Sequence, residues 1–167
     1  MKYRLGIDIG STTIKLALID SNDKVIYSQY RRHLSDVRGG LTALFEDLGR
    51  DNPGVHACIS ITGSAGLNVA KSLDITFVQE VIAATEAVER FLPETDVVIE
   101  LGGEDAKITF MKPVLSQRMN GTCAGGTGAF IDQMASLLQT DASGLNELAQ
   151  QHKTIYPIAS RCGVFAK

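Results

Sequence analysis

Two short stretches of this chain, 92 residues apart, carry one pattern. Set over one another, Ile7-Asp-Ile-Gly-Ser-Thr-Thr-Ile-Lys-Leu16 and Ile99-Glu-Leu-Gly-Gly-Glu-Asp-Ala-Lys-Ile108 align acid with acid, glycine with glycine and lysine with lysine, each at an offset of 92. Both read as strand, tight turn, strand. A whole hairpin that recurs constrains the fold strongly, because it makes the chain an internal duplication of one structural unit. The boundary is expected near Pro93-Glu94, with residues 1–93 forming a first lobe and 94–167 an incomplete second one.

The segments between the hairpins fill in an α/β pattern. Leu5 to Ile9 is a strand, Gly10 to Thr13 a turn and Ile14 to Ile19 a second strand. Ser21-Asn-Asp23 then turns the chain into Val25 to Tyr30, completing a three-strand meander. Leu41, Leu44, Phe45 and Leu48 recur at helical spacing, and Asp51-Asn-Pro-Gly54 stops that helix. Val55 to Ile61 is a further strand, apolar enough to be buried on both faces. A Gly-rich turn, Thr62-Gly-Ser-Ala-Gly66, and a short segment to Val78 lead into a helix from about Gln79 to Leu92, ended by Pro93. Strands follow at Asp96 to Leu101, Ala106 to Met111 and Val114 to Met119. The stripe Phe130, Ile131, Met134, Leu137 and Leu138 predicts a helix over Ala129 to Leu138. Asp141 to Gln151 is a polar helix.

Bulk properties exclude several roles. A net charge of −3 offers no attraction to nucleic acid or to an anionic membrane. No apolar run approaches the ~20 residues needed to span a bilayer. The first residues lack the apolar stretch of a signal peptide. Three cysteines at wide spacing suit a reducing compartment rather than a disulfide framework, so a cytoplasmic location is expected.

The hairpin turns carry the candidate chemistry. Gly10, Ser11, Thr12 and Thr13 present backbone N–H groups and hydroxyls in one concave spot, which suits phosphate oxygens. Gly10 admits a close backbone approach. Asp8 is placed to hold Mg²⁺ through water. Lys15 is expected to pair with a phosphate or to point into solvent. Gly102 and Gly103 give the second hairpin the same close-approach backbone, and Glu104 and Asp105 add carboxylates for metal or for orienting an attacking water. Asp8, Glu104 and Asp105 are thus the catalytic candidates. Either hairpin taken singly also reads as an ordinary tight turn. The stretch Gly121-Thr-Cys-Ala-Gly-Gly126-Thr127 lacks the lysine of a Walker A loop, and no Gly-x-Gly-x-x-Gly follows a strand.

Cys58 lies in the apolar Ala57-Cys-Ile-Ser-Ile61 and reads as a small buried hydrophobe. Cys123 lies in a Gly-rich loop at a helix N-terminus, where a thiolate is favoured. Cys162 is flanked by Arg161 and Gly163. Spacing alone, 39 residues between Cys123 and Cys162, is weak evidence for a metal. Two thiolates cannot complete a four-cysteine cluster, but a two-fold dimer supplies four, so one [4Fe–4S] cluster would use both cysteines from both subunits. His33, His56 and His152 lack ligand spacing and are expected at the surface or at element ends.

Together, Gly6-Ile-Asp-Ile-Gly-Ser-Thr12, Thr62-Gly-Ser-Ala-Gly-Leu-Asn68, Leu101-Gly-Gly-Glu-Asp-Ala-Lys107, Cys123-Ala-Gly-Gly-Thr-Gly128 and Cys162-Gly-Val-Phe-Ala166 resemble the activators of 2-hydroxyacyl-CoA dehydratases and the ATPase subunits of benzoyl-CoA reductases. These belong to the actin/sugar-kinase/heat-shock-70 superfamily. The resemblance implies an actin-like ATPase (ribonuclease H-like) fold, present as the first lobe and the beginning of the second. It implies ATP/ADP and Mg²⁺ in the cleft and a homodimer bridged by one [4Fe–4S] cluster on Cys123 and Cys162. It further implies electron supply from a ferredoxin or flavodoxin, and transfer of one low-potential electron to a CoA-thioester dehydratase or reductase. Glu100 and Glu104 stand where the family has Asp and Gln, Ala84 where it often has His, and no Gly-Gly adenosine motif occurs before Lys167. Two other readings fit the hairpins: a sugar or N-acetylhexosamine kinase using Asp105, and a non-catalytic nucleotide-binding fragment. Phosphate transfer to a sugar without bound iron marks the first; absence of Mg·ATP binding marks the second.

Overall fold

Alternation sets the first sheet. Leu5, Ile7 and Ile9 fall on one side of their strand, and Leu18, Leu16 and Ile14 stand directly opposite them on the next, so six aliphatic side chains share one face. In the computed structural model, which describes residues 3–120, 125–159 and 162–166, the chain divides into two units, Met1–Pro93 and Glu94–Lys167.

The first unit runs β1 (Tyr3–Ile9), β2 (Thr13–Ile19), β3 (Val25–Arg32), α1 (Val37–Asp51), β4 (Ala57–Thr62), α2 (Gly66–Ser72), β5 (Thr76–Phe77) and α3 (Glu80–Phe91). Its sheet has the order β3-β2-β1-β4-β5. The meander β1 to β3 is antiparallel, whereas β4 joins β1, and β5 joins β4, in parallel. The six aliphatics form one core with Leu44 and Leu48 of α1, Ile61 of β4 and Ala70 of α2. Asp36 caps α1, its Oδ1 accepting from Gly39 N at 2.8 Å. The turn after β2 is clasped by two guanidinium groups: Asp23 pairs with Arg4 of β1 and with Arg90 of α3, whose Nε lies 2.7 Å away.

Two expectations need correction here. The strand expected from Val55 spans Ala57–Thr62 and is not buried on both faces. Ile61 joins the core, while Cys58 and Ser60 are exposed, opposite Arg4 and Gly6 in the ladder. Cys58 is therefore not a buried hydrophobe; an apolar run does not reveal how many faces a neighbour covers. The segment before Val78 holds α2 and β5 rather than a plain connection. Small residues make that helix fit: Ala70 is buried, and a Cβ at Gly66 would sit 2.8 Å from Ile61 Cγ2.

The second unit runs β6 (Val97–Leu101), β7 (Ala106–Phe110), β8 (Ser116–Met119), α4 (Gly128–Leu137) and α5 (Gly144–Gln150), with an antiparallel sheet ordered β6-β7-β8. Its first hairpin repeats the register of β1–β2 pair for pair. Ile7↔Leu16, Asp8↔Lys15 and Ile9↔Ile14 become Ile99↔Ile108, Glu100↔Lys107 and Leu101↔Ala106, each shifted by 92. The surroundings differ. Leu5, Ile7 and Ile9 are buried, whereas their counterparts Val97, Ile99 and Leu101 are exposed. On the opposite face of β7, Lys107 and Thr109 are buried. Among the described residues, no helix is long and apolar enough to cross a membrane.

Candidate functional site

The first hairpin closes in a two-residue turn, Gly10 N–H donating to Thr13 O at 2.9 Å across Ser11 and Thr12. Neither Ser11 N–H nor Thr12 N–H has an acceptor among the described residues. A Cβ at Gly10 would meet Thr13 O at 3.5 Å, Thr13 Oγ1 at 3.8 Å and Lys15 Nζ at 3.9 Å, all ordinary contacts. Protein packing therefore does not demand glycine there.

Asp8 is half-buried beside that turn. Its Oδ2 accepts from Lys15 Nζ at 2.6 Å, directly across the ladder. Lys15 thus reaches the carboxylate rather than open solvent, and its Nζ stands 5.8 Å from the Tyr30 ring centre. On the other side, Asp8 is opposite Thr62, whose Oγ1 is buried without a hydrogen-bond partner. A buried orphan hydroxyl costs about 1–3 kcal/mol. Gly63 follows with φ of +93°, and a Cβ on it would overlap Asp8 Oδ1 and the Ile9 carbonyl. Ala65 N–H donates to Ile9 O at 2.9 Å, so the turn after β4 is fastened to the end of β1.

His33 contributes to this turn and was not legible as such. Expected at the surface or at an element end, it directly follows β3 and is 8% exposed; its Nε2 lies 3.2 Å from Gly10 O, and its main-chain N–H donates to Thr12 O at 3.2 Å. His56 and His152 are both exposed, as expected, and His56 lines a shallow apolar cavity of about 330 Å³ with Leu5, Phe45 and Leu48.

In the second hairpin Glu104 is exposed and Asp105 half-buried, with Asp105 Oδ2 3.5 Å from Lys107 Nζ. The carbonyls of Gly102 and Gly103 accept from Gly128 N at 2.8 Å and Ala129 N at 3.0 Å. The turn of hairpin two and the first turn of α4 are thereby one hydrogen-bonded block. Two of the four N–H groups that a helix start leaves unpaired are spent on this contact, so the N-terminus of α4 offers fewer donors to a thiolate than its sequence suggests.

Cys123 lies outside the described residues, as do Ser160 and Arg161. Cys162 is a free, half-buried thiol. The next residue, Gly163, packs so closely that a Cβ on it would lie 3.2 Å from the Phe130 ring and 3.5 Å from Gly125 Cα. Gly125 stands two residues after Cys123 in the chain, so the two cysteine motifs meet at these glycines. No group of three or more metal-binding side chains forms among the described residues.

Comparison with known proteins places these features in context. The family described as the BadF/BadG/BcrA/BcrD ATPase family matches residues 5–167. The 2-hydroxyisocaproyl-CoA dehydratase activator of Clostridioides difficile is 28% identical over 171 residues, covering 99% of this chain and 63% of the activator. The crystal structure of the Acidaminococcus fermentans (R)-2-hydroxyglutaryl-CoA dehydratase component A superposes with a TM-score of 0.86 at 27% identity, over 99% of this chain and 65% of that one. The Clostridium difficile 2-hydroxyisocaproyl-CoA dehydratase activator, solved with bound ADPNP, gives 0.86 at 28% identity, over 98% and 62%. The chain thus spans a little under two thirds of the length of these relatives, and its α/β fold is that of the actin-like ATPases.

Proposed function

Because this chain belongs to the BadF/BadG/BcrA/BcrD ATPase family, we propose that it is the phosphate-gripping and cysteine-bearing part of an ATP-dependent activator. The activator passes one low-potential electron to a 2-hydroxyacyl-CoA dehydratase or a related CoA-thioester reductase. The observation that carries this reading is the block formed by Gly102 and Gly103 with Gly128 and Ala129. It ties the turn of a phosphate hairpin to the helix on which the cysteine loop ends.

Gly10, Ser11, Thr12 and Thr13 of hairpin one, and Gly102 and Gly103 of hairpin two, are the phosphate-binding residues of this reading. Asp8 holds Mg²⁺ through water, its carboxylate oriented by Lys15, and the orphan hydroxyl of Thr62 gives that water or carboxylate a further partner. The ion supplies charge neutralisation between phosphates. Asp105, held near Lys107, and the exposed Glu104 orient the attacking water. Cys123 and Cys162 from two chains ligate a [4Fe–4S] cluster, and the close fit of Gly163 against Gly125 suits a shared site. Such a cluster supplies a one-electron couple at low potential. Movement of hairpin two on nucleotide turnover is passed through its bonds to α4, which is coupling between two sites in a physical sense. The partners are then a ferredoxin or flavodoxin as donor, the dehydratase as acceptor and a second copy of the chain, in the cytoplasm.

Anaerobic reconstitution with iron and sulfide tests the reading. A brown, oxygen-sensitive dimer with one cluster per two chains is expected, losing its visible absorption in Cys123→Ser and in Cys162→Ser. Mg·ATP hydrolysis is expected to fall in Asp8→Asn. A colourless protein that binds no iron overturns the electron-transfer role.

A further inference from the structure

We propose that His33 is the positioning residue of the first phosphate turn, holding its peptide planes so that Ser11 N–H is presented to a phosphate oxygen. The assignment rests on reading hairpin one as a phosphate grip. Four contacts define the imidazole's place. Its Nδ1 accepts from Ser35 N–H at 3.1 Å, so that nitrogen carries no proton. A neutral ring then bears its proton on Nε2, which donates to Gly10 O at 3.2 Å. The main-chain N–H of His33 donates to Thr12 O at 3.2 Å, and its carbonyl accepts from Asp36 N at 2.7 Å.

Peptide planarity gives these bonds their effect. In a trans peptide the C=O and the following N–H point in opposite directions. Fixing Gly10 O on the ring therefore turns Ser11 N–H away from it, and fixing Thr12 O does the same for Thr13 N–H. Ser11 N–H has no acceptor among the described residues and is left for a ligand. The segment behind the ring is built to hold it. Leu34 and Ser35 both take left-handed backbone, φ 47° and 68°, an unfavourable conformation for residues with a Cβ. It delivers Ser35 N–H to the ring and starts α1 at the Asp36 cap. Gly40 in the first turn of α1 packs against it, where an added Cβ would lie 3.4 Å from His33 Cβ.

Two variants separate positioning from bulk support. Gln in His33→Gln carries an N–H donor at the place of Nε2, whereas His33→Leu fills the space without one. Both lose the Ser35 contact and keep the main-chain bond to Thr12 O, so both are expected to lower the thermal midpoint alike. Binding of Mg·ATP, and of Mg·tripolyphosphate as a probe lacking adenosine, is read by ³¹P NMR. Affinity is expected to drop about tenfold in His33→Leu, the scale of one lost hydrogen bond to a ligand-aligning group, and to stay within about twofold in His33→Gln. Wild-type affinity in His33→Leu, or equal losses in both variants, overturns the role of His33. If the wild-type chain binds neither probe, the phosphate reading of hairpin one fails, and this inference with it.

Discussion

Ile7 and Ile99 occupy one place in two copies of a hairpin, opposite Leu16 and Ile108 at the same register. Ile7 retains 3% of its accessible surface and Ile99 69%. The same substitution should therefore have unequal costs. Ile7→Ala opens a cavity between the sheet and α1, and core changes of this kind cost about 2–5 kcal/mol. Ile99→Ala opens no cavity. Burying an isoleucine fully is worth about 1.5–3 kcal/mol, so with less than a third of the side chain covered the loss is under about 1 kcal/mol. Urea unfolding followed by amide signals in β1 and β6 reports each unit by itself and avoids assuming one transition for both. At micromolar protein, Ile7→Ala is expected to shift the β1 midpoint at least twice as far as Ile99→Ala shifts that of β6. Equal shifts would refute the reasoning, by showing that the face carrying Ile99 is dry in solution.

Gly63→Ala forces a Cβ onto a residue at φ +93° and into Asp8 Oδ1 and the Ile9 carbonyl. Left-handed strain alone costs about 1–2 kcal/mol, so calorimetry should show a clearly lower melting temperature, and an unchanged one contradicts the geometry. Asp23→Asn tests the clasp. The Arg4 guanidinium first, then that of Arg90, holds the Asp23 carboxyl below its ordinary value of 3.8. A lowered carboxyl stabilises above that value and loses its contribution as pH falls through the lowered one. Asp23→Asn should thus be less stable than wild type at pH 7, with the gap narrowing as pH is taken below 3.8. A gap that does not change with pH removes the ion pairs from the account, and high salt should shrink it because the groups are partly exposed.

Periodicity was enough to read the strands and the longer helices, because their packing is written in the spacing of Leu, Ile and Val. Where small residues do the packing the signal faded, as in α2, whose fit rests on Gly66 and Ala70. Cys58 was misread because sequence shows what a strand carries and not which face a neighbour covers. His33 was missed for a related reason. Its partners, Gly10 and Thr12, lie more than twenty residues earlier in the chain, and only the return of β3 alongside β2 brings it to the turn. The join between the cysteine motifs depended on Gly163 meeting Gly125, a fit that no spacing rule encodes.

The exposed side of β6 has a thermal consequence. Ile99, Val97 and Leu101 are already wet in the folded second unit, so its unfolding brings little new hydrocarbon into water from that face. Heat capacity of unfolding tracks newly wetted apolar area, about 12–15 cal/mol/K per residue for an ordinary domain. The second unit should fall below that range and the first should lie within it. A small heat capacity change flattens the stability curve, so the two halves of one duplicated design would respond to temperature with different curvature.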